Sequence, residues 1–418
     1  MEDSAPTMSD TRLIAGLLQT DHELSVPLDH DRPDLERITL YAREVAHPDG
    51  ADRPMLVYFE GGPGSEAPRP TGPPTSPGWL PRALQEFRVL LLDQRGTGRS
   101  SPIGKLPGMT PAEQARHLTH FRADAIVRDA ELLRQALDIE RWAVLGQSFG
   151  GMCVTTYLSH APDSLSAAVI TGGLPALEAG IDEVYEATFA RTLRVNQQYY
   201  ERHPEDRARV LALHERLTAD DVRLPSGDRL TSRRLRQLGN VLGMTAGADR
   251  LHHLLELPVD SPAFLHDVEA AMPFARQPLW AILHEALWAD GGTTRWSADR
   301  VRPAVYDYHT ELFTAEHVFP WMFEEYGALA PLREAAEILA AHEWPRLYDP
   351  EQLRRNTVPA AALIYAEDLY VPRAFSEAAA ADIRGLRPWL TNELAHDGLR
   401  VDGPRVLGRL LDLVKGRC

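Results

Sequence analysis

The sequence is poor in cysteine and has fewer basic than acidic residues. Its 418 residues include only two cysteines, Cys153 and Cys418, which exclude a disulfide framework and a cysteine-based zinc site. Basic residues are outnumbered, with 44 Lys and Arg against 60 Asp and Glu, a formal net charge of −16 and a pI near 5.5. This balance argues against nucleic acid or an anionic membrane as the main partner.

Long apolar runs are also absent, so the sequence predicts no segment that spans a bilayer. The first residues, Met1 to Ser4, are acidic, where a secretory signal would be basic and then apolar. We therefore expect a cytoplasmic protein. A hydrophobic content of 44% over this length is enough for a large core, equivalent in length to two or three domains.

The first 175 residues contain several short apolar runs of strand length, and an amphipathic segment lies between two of them. A helix is predicted over Asp124 to Leu137, where apolar residues recur on one face. Strands that alternate with helices indicate a mostly parallel sheet covered on both faces, the α/β class. The predicted buried strands are Met55 to Phe59, Arg88 to Leu92, Trp142 to Leu145 and Ala167 to Thr171.

The pattern changes after residue 175 and returns near residue 348. From about Ile181 to Trp344 the chain is typical of helices, and strand character resumes at Ala360 to Tyr365 and near Leu386 to Leu390. We therefore predict an α/β core formed by residues 1–175 and 348–418, with a helical cap domain inserted at residues 176–347. This division predicts a cap domain that sits on the α/β core.

A candidate nucleophile lies between a predicted strand and a predicted helix. Residues Gly146 to Gly150 fit the G-x-S-x-G pattern, and Gly151 to His160 can continue as a helix. Such a sharp turn holds its serine, here Ser148, in a strained backbone conformation at the carboxyl edge of the sheet. A Gly-Ser turn without chemistry is the alternative, but the strand before and the helix after favour a nucleophile.

A serine hydroxyl needs a base, and in folds with this motif the order along the chain is Ser, then Asp or Glu, then His. Beyond Asp368 the chain contains a single histidine, His396, in a loop after the last predicted strand. Glu367 and Asp368 both follow the preceding strand, and we prefer Asp368 because its position suits the reach to His396. The sequence thus predicts the triad Ser148, Asp368 and His396.

The tetrahedral intermediate of such chemistry needs two backbone N–H donors. One is expected from Phe149, the residue after the nucleophile. The other is expected from Gly61 or Gly62, which begin a loop of seven prolines and five glycines that extends to Pro81. Nothing in the sequence calls for a metal or an organic cofactor.

Three motifs taken together resemble the proline iminopeptidase (prolyl aminopeptidase) family of α/β-hydrolases. They are Gly61 to Gly64, Asp93 to Ser100 and Gly146 to Gly151, and the chain length and the stretch His284 to Ala286 resemble the longer form of that enzyme. Glu60 departs from the pattern, since many relatives have histidine there. The resemblance implies an α/β-hydrolase fold and a serine aminopeptidase that releases N-terminal proline from small peptides through an acyl-enzyme.

An exopeptidase must also hold the charged α-amine of its substrate, for which a partly buried carboxylate is the natural partner. Glu285 and Glu316 are embedded among apolar and aromatic residues, and the resemblance favours Glu285, because cap carboxylates bind the free amine in that family. An esterase, amidase or lactonase with the same triad is the alternative enzyme, and a non-catalytic binding protein is a third reading that the complete triad disfavours. Nearby aromatic residues could form a slot for the proline ring: Trp280, Trp288, Phe313, Phe319 and Trp321.

Overall fold

A computed structural model describes residues 7–73 and 75–417, so the acidic start Met1 to Ser4 and Cys418 lie outside the described part. Within it, ten strands form one sheet in the order β1-β3-β4-β6-β5-β7-β8-β9-β10, with β2 paired to β3. The strands are β1 (Thr7–Met8), β2 (Arg12–Ile14), β3 (Leu17–Pro27), β4 (Arg37–Ala46), β5 (Met55–Phe59), β6 (Arg88–Asp93), β7 (Trp142–Gln147), β8 (Leu165–Thr171), β9 (Ala360–Tyr365) and β10 (Leu386–Thr391).

The central part of the sheet is parallel, as the sequence predicts. Strands β6, β5, β7, β8, β9 and β10 all pair in parallel, whereas β3 and β4 pair antiparallel and β4 joins β6 antiparallel. Every residue of β5 is buried. Leu56 and Tyr58 pack on one face and Val57 and Phe59 on the other, which explains why these strands are continuous apolar runs.

Helices cover both faces of the sheet. One face is packed by α3 and α4, through residues such as Ile126 and Val154, and the other by α1 and α18, through residues such as Leu80 and Leu410. The α-helices before β9 are α1 (Leu80–Ala83), α2 (Pro111–Leu118), α3 (Ala123–Ala136), α4 (Phe149–His160), α5 (Ile181–Arg202), α6 (Glu205–Ala219), α7 (Ser232–Arg236), α8 (Gly247–Leu255), α9 (Pro262–Ala270), α10 (Pro278–Leu283), α11 (Ser297–Arg300), α12 (Val305–Tyr308), α13 (Met322–Glu325), α14 (Arg333–Ala340) and α15 (Pro350–Arg354). After β9 come α16 (Arg373–Asp382), α17 (Gly398–Val401) and α18 (Gly403–Val414). Short 3-10 helices lie at Pro48–Gly50, Thr119–Phe121, Pro162–Ser164, Gln237–Gly243, Pro273–Ala275, Glu285–Leu287 and Ala330–Leu332.

The chain between β8 and β9 is helical, and we call α5 to α14 the cap helices. The loops between them contact the loops that follow β9 and β10: Thr245 Oγ1 donates to Asp397 Oδ1 at 2.7 Å, and Tyr370 donates to the carbonyl of Asn240. These contacts hold the cap helices over the carboxyl edge of the sheet. The domain limits at residues 176 and 347 stay a prediction. Among the described residues, no helix has both the length and the apolar character needed to cross a bilayer.

Candidate active site

Ser148 occupies the sharp turn between β7 and α4. Its φ of 53° and ψ of −123° lie in a region of backbone conformation that residues other than glycine rarely adopt. Its backbone N–H donates to the carbonyl of Thr171 on the neighbouring strand at 2.8 Å. A Cβ on Gly146 would lie 2.2 Å from the carbonyl oxygen of Gly150, and one on Gly150 would lie 2.0 Å from that of Phe59. Both glycines are therefore required for the turn to fit against the sheet.

His396 and Asp368 meet at the carboxyl edge of the sheet. Nδ1 of His396 lies 2.8 Å from Oδ2 of Asp368, and both side chains are almost completely buried. The other carboxylate oxygen of Asp368 accepts the backbone N–H groups of Tyr370 at 2.9 Å and Val371 at 3.0 Å. Glu367 instead pairs with a cap arginine at the surface. Of the two acids that the sequence offers here, the structure brings Asp368 to the histidine.

Opposing effects act on the pKa of His396. Burial lowers it, but the charge of Asp368 and its hydrogen bond raise it by more, and the charge of Glu316 adds to the rise, so the pKa is raised from its usual 6.5. A histidine held in this way has its Nδ1–H occupied by a carboxylate, which leaves Nε2 free to act as a base.

The sequence alone did not suggest a role for Gln147 in this site. Its Nε2 donates to the backbone carbonyl of His396 at 3.0 Å, and its Oε1 accepts the hydroxyl of Thr171 at 2.6 Å. The side chain is buried, at 3% exposure, directly before Ser148. Gln147 therefore ties the histidine loop to the strand end that carries the serine.

The candidate oxyanion donors differ in availability. Gly61 lies against the serine, because a Cβ on it would be 3.2 Å from Ser148 Cβ, but its N–H already donates to Oε1 of Glu60 at 2.8 Å. The N–H of Gly62 has no acceptor among the described residues. Phe149 is the first residue of α4, where N–H groups have no partner within the helix. Gly62 and Phe149 are therefore the better candidates, and Gly61 contributes a close approach without a side chain.

Glu60 has a defined structural position. Its Oε1 accepts both the Gly61 N–H and Nη2 of Arg400 at 2.9 Å, and its carbonyl accepts the side-chain amide of Gln94 at 2.9 Å. The charge of Glu60 is the largest of the influences that raise the pKa of Arg400. This ion pair connects the loop after β5 with α17, a link between residues 340 positions apart that the sequence alone does not indicate.

Ser148 and His396 line one cavity of about 370 Å³, together with Gly61 and Gly62. We call it the catalytic cavity. Glu316 lines it as well, as does Trp280, whereas Phe319 and Trp321 line a separate cavity. Of the predicted aromatic slot, Trp280 is thus the only member found at the catalytic cavity within the described residues.

The two candidate amine-binding glutamates lie in different surroundings. Glu316 is partly exposed to the catalytic cavity, and its Oε2 lies 3.5 Å from Nε2 of His284. Glu285 is absent from the cavity lining, and its Oε1 accepts the backbone N–H of Ala298 at 2.9 Å. Burial raises the pKa of Glu285 to about 7. The geometry therefore favours Glu316 over Glu285, which is the reverse of the preference drawn from the sequence.

Comparison with known proteins agrees with this fold. Residues 54–304 match the family model described as the alpha/beta hydrolase fold. The chain is thus an α/β-hydrolase, an enzyme of the serine hydrolase class.

Two relatives align with nearly the whole chain. The proline iminopeptidase of Aeromonas sobria is 47% identical over 408 residues, which cover 94% of this chain and 95% of that protein. The proline iminopeptidase aneH of Aspergillus aculeatus is 34% identical over 422 residues, with 94% and 92% covered. The chain belongs to the proline iminopeptidase family.

Proposed function

We propose that the protein is a serine aminopeptidase that releases an N-terminal proline from small peptides. One observation carries the proposal: Ser148, His396 and the carboxylate of Glu316 line the same cavity of about 370 Å³. The first two residues supply acyl-transfer chemistry, and the third supplies a negative charge for a substrate ammonium. The two near-full-length relatives named proline iminopeptidase support this choice.

The chemistry follows from the roles that these side chains can take. Oγ of Ser148 attacks the carbonyl carbon of the N-terminal residue while Nε2 of His396 takes its proton. Asp368 holds the imidazole in the tautomer with Nδ1 protonated and stabilises the imidazolium. The N–H groups of Gly62 and Phe149 stabilise the oxyanion.

Collapse of the tetrahedral intermediate releases the rest of the peptide, whose amine takes the proton from His396. Water, deprotonated by the same histidine, then hydrolyses the acyl-enzyme and frees proline. Glu316 binds the α-ammonium of the substrate, and the ring of Trp280 offers an apolar surface to the pyrrolidine. The division into a core of residues 1–175 and 348–418 and a cap of residues 176–347 belongs to this proposal, with the cap closing the site on one side.

Hydrolysis of a small panel of arylamides tests the proposal. We expect cleavage of prolyl arylamide, much slower cleavage of alanyl and leucyl arylamides, and no turnover of N-acetylprolyl arylamide. The acetyl group removes the charge that Glu316 binds, so the last result depends on the amine. Cleavage of the acetylated compound as fast as the free one, or preference for a simple aryl ester, would replace the aminopeptidase with an esterase.

A further inference from the structure

A second cavity, of about 870 Å³, opens on the surface of the cap helices. Within the described residues, it shares no lining side chain with the catalytic cavity. Its floor is buried or half-buried, whereas its rim is mostly exposed. We call it the cap cavity and define its floor by His214, Arg236, Tyr306, Thr314, Phe319 and Trp321.

Arg236 brings a positive charge without a carboxylate partner to this floor. Its Nε donates to the carbonyl of Leu312 at 2.8 Å, and its Nη2 donates to the carbonyls of Tyr306 at 2.8 Å and His309 at 2.6 Å. Among the described residues, no acid lies within ion-pair distance of its guanidinium, and Nη1 has no acceptor. Burial lowers the pKa of Arg236, and the more distant charges of Glu311 and Asp307 offset this only in part.

His214 is a second floor group with an unused polar atom. It is buried, at 6% exposure, and its Nε2 has no hydrogen-bond partner in the described part of the chain. Burial lowers the pKa of this histidine and the nearby charge of Arg236 lowers it further, by more than a hydrogen bond to the backbone of Thr310 and the charge of Glu311 raise it. Buried polar atoms in native proteins normally have partners, so an unpaired nitrogen near a guanidinium that has no salt-bridge partner marks a place for a ligand.

Apart from Thr314, the rest of the floor is aromatic. The rings of Phe319 and Trp321 are stacked with centroids 5.8 Å apart, and the guanidinium of Arg236 lies 5.2 Å from the centre of the Tyr306 ring. A large, mostly apolar concave surface with a few polar groups is typical of small-molecule sites. The floor therefore suits a ligand with an apolar body and an acceptor at one end.

The charges at the rim limit the ligand further. Arg233 pairs with Glu325 and Arg302 pairs with Asp307, so these two arginines are already neutralised. The remaining rim acids, Glu215 and Asp299, are exposed and disfavour a second negative charge on a ligand.

We propose that the cap cavity binds a small organic monocarboxylate with an aromatic or aliphatic body. The carboxylate accepts from Nη1 of Arg236, and the body packs on Phe319 and Trp321. Thr314, Phe319 and Trp321 belong to the same segment as Glu316, which lines the catalytic cavity. A ligand bound here thus contacts the segment that presents Glu316, although binding itself does not depend on the proposed function.

Calorimetric titration of the full chain with 4-phenylbutyrate tests the proposal, with 4-phenyl-1-butanol as the neutral analogue. We expect the carboxylate to bind about tenfold or more tightly than the alcohol, because a hydrogen bond to a charged group contributes that much. Benzylsuccinate, with its second carboxylate, is expected to bind more weakly than 4-phenylbutyrate. Equal binding of the alcohol would overturn the proposal.

Variants locate the binding site. Thr218→Trp fills the cavity from its exposed rim and should abolish binding, whereas Leu211→Trp, on the same helix but outside the cavity, should not. Arg236→Gln should weaken binding about tenfold or more. Arg236 also donates to three backbone carbonyls, which Arg236→Gln disturbs. If Arg236→Gln does not fold, the Thr218→Trp result decides the test. Binding that Thr218→Trp leaves intact, and that prolyl arylamide displaces, would assign the ligand to the catalytic cavity and refute the proposal.

Discussion

Nδ1 of His396 lies 2.8 Å from Oδ2 of Asp368, although the two residues are 28 positions apart and follow different strands. Parallel strands β9 and β10 end at the same edge of the sheet, so the loops after them can meet there. Within this pair, the carboxylate raises the pKa of the imidazole by more than burial lowers it. The pH dependence of the enzyme's activity should therefore reflect the pKa of His396 in this pair.

We predict that kcat/KM falls on the acid side of an apparent pKa above 6.5, as His396 becomes protonated and loses its function as a base. Asp368→Asn removes the main group that raises this pKa and leaves burial, which lowers it, so the acid limb should move to lower pH. The same variant should lose activity on the order of 10³- to 10⁴-fold.

Glu367→Gln is the matched control, because Glu367 neighbours Asp368 but pairs with Arg191 at the surface. It should keep both the activity and the position of the acid limb. The measurement is kcat/KM of a prolyl arylamide from pH 5 to 9. An unshifted acid limb in Asp368→Asn would contradict the assignment of the limb to His396.

Ser148→Ala should leave the protein folded and reduce kcat on the order of 10³-fold or more, because the nucleophile is removed and the rest of the site remains. A serine-directed acylating reagent followed by peptide mapping should label Ser148. Ser226→Ala, a change in an exposed turn, serves as the control and should retain full activity and labelling. Activity retained in Ser148→Ala would exclude this serine as the nucleophile.

Glu316→Gln should lower kcat/KM for prolyl arylamide by well over tenfold, since loss of one partner of a buried charge pair typically costs about 2–5 kcal/mol. The same variant should hydrolyse a neutral aryl ester nearly as well as the unmodified enzyme. Glu285→Gln is the informative comparison, because Glu285 does not line the catalytic cavity. If Glu285→Gln showed the selective loss and Glu316→Gln did not, the sequence-based preference for Glu285 would be restored.

Glu285 is expected to affect stability instead. Its folded-state pKa of about 7 lies above the ordinary value of 4.5, so the folded protein holds a proton that the unfolded chain releases between these values. Its contribution to stability is fully present below about pH 4.5 and is lost as the pH rises through 7. The loss amounts to about 3–4 kcal/mol, at roughly 1.4 kcal/mol for each unit of pKa difference.

Denaturant unfolding of the unmodified protein and of Glu285→Gln at pH 5, 6, 7 and 8 measures this effect. Glutamine retains an oxygen to accept the N–H of Ala298 and carries no charge, so the variant should lose less stability over this range than the unmodified protein. Parallel pH profiles for the two proteins would show that Glu285 does not titrate near 7.

Much of the architecture could be predicted because it depends on local patterns. Apolar runs of strand length identified the buried parallel strands, and the prediction of Ala360 to Tyr365 matches β9 at both ends. The G-x-S-x-G turn is defined by steric needs within a few residues, as the close approach of Gly150 to the carbonyl of Phe59 shows. His396 could be proposed because the chain has no other histidine after Asp368.

The choice between equivalent candidates depended on tertiary structure. Glu285 and Glu316 have similar apolar neighbours in the sequence, yet only Glu316 lines the catalytic cavity. Gly61 and Gly62 are adjacent, but the ion pair of Glu60 with Arg400 places an acceptor on the Gly61 N–H and leaves that of Gly62 unused. Sequence periodicity reports which residues are buried, whereas the direction of one carboxylate or one N–H depends on side chains brought close from distant parts of the chain.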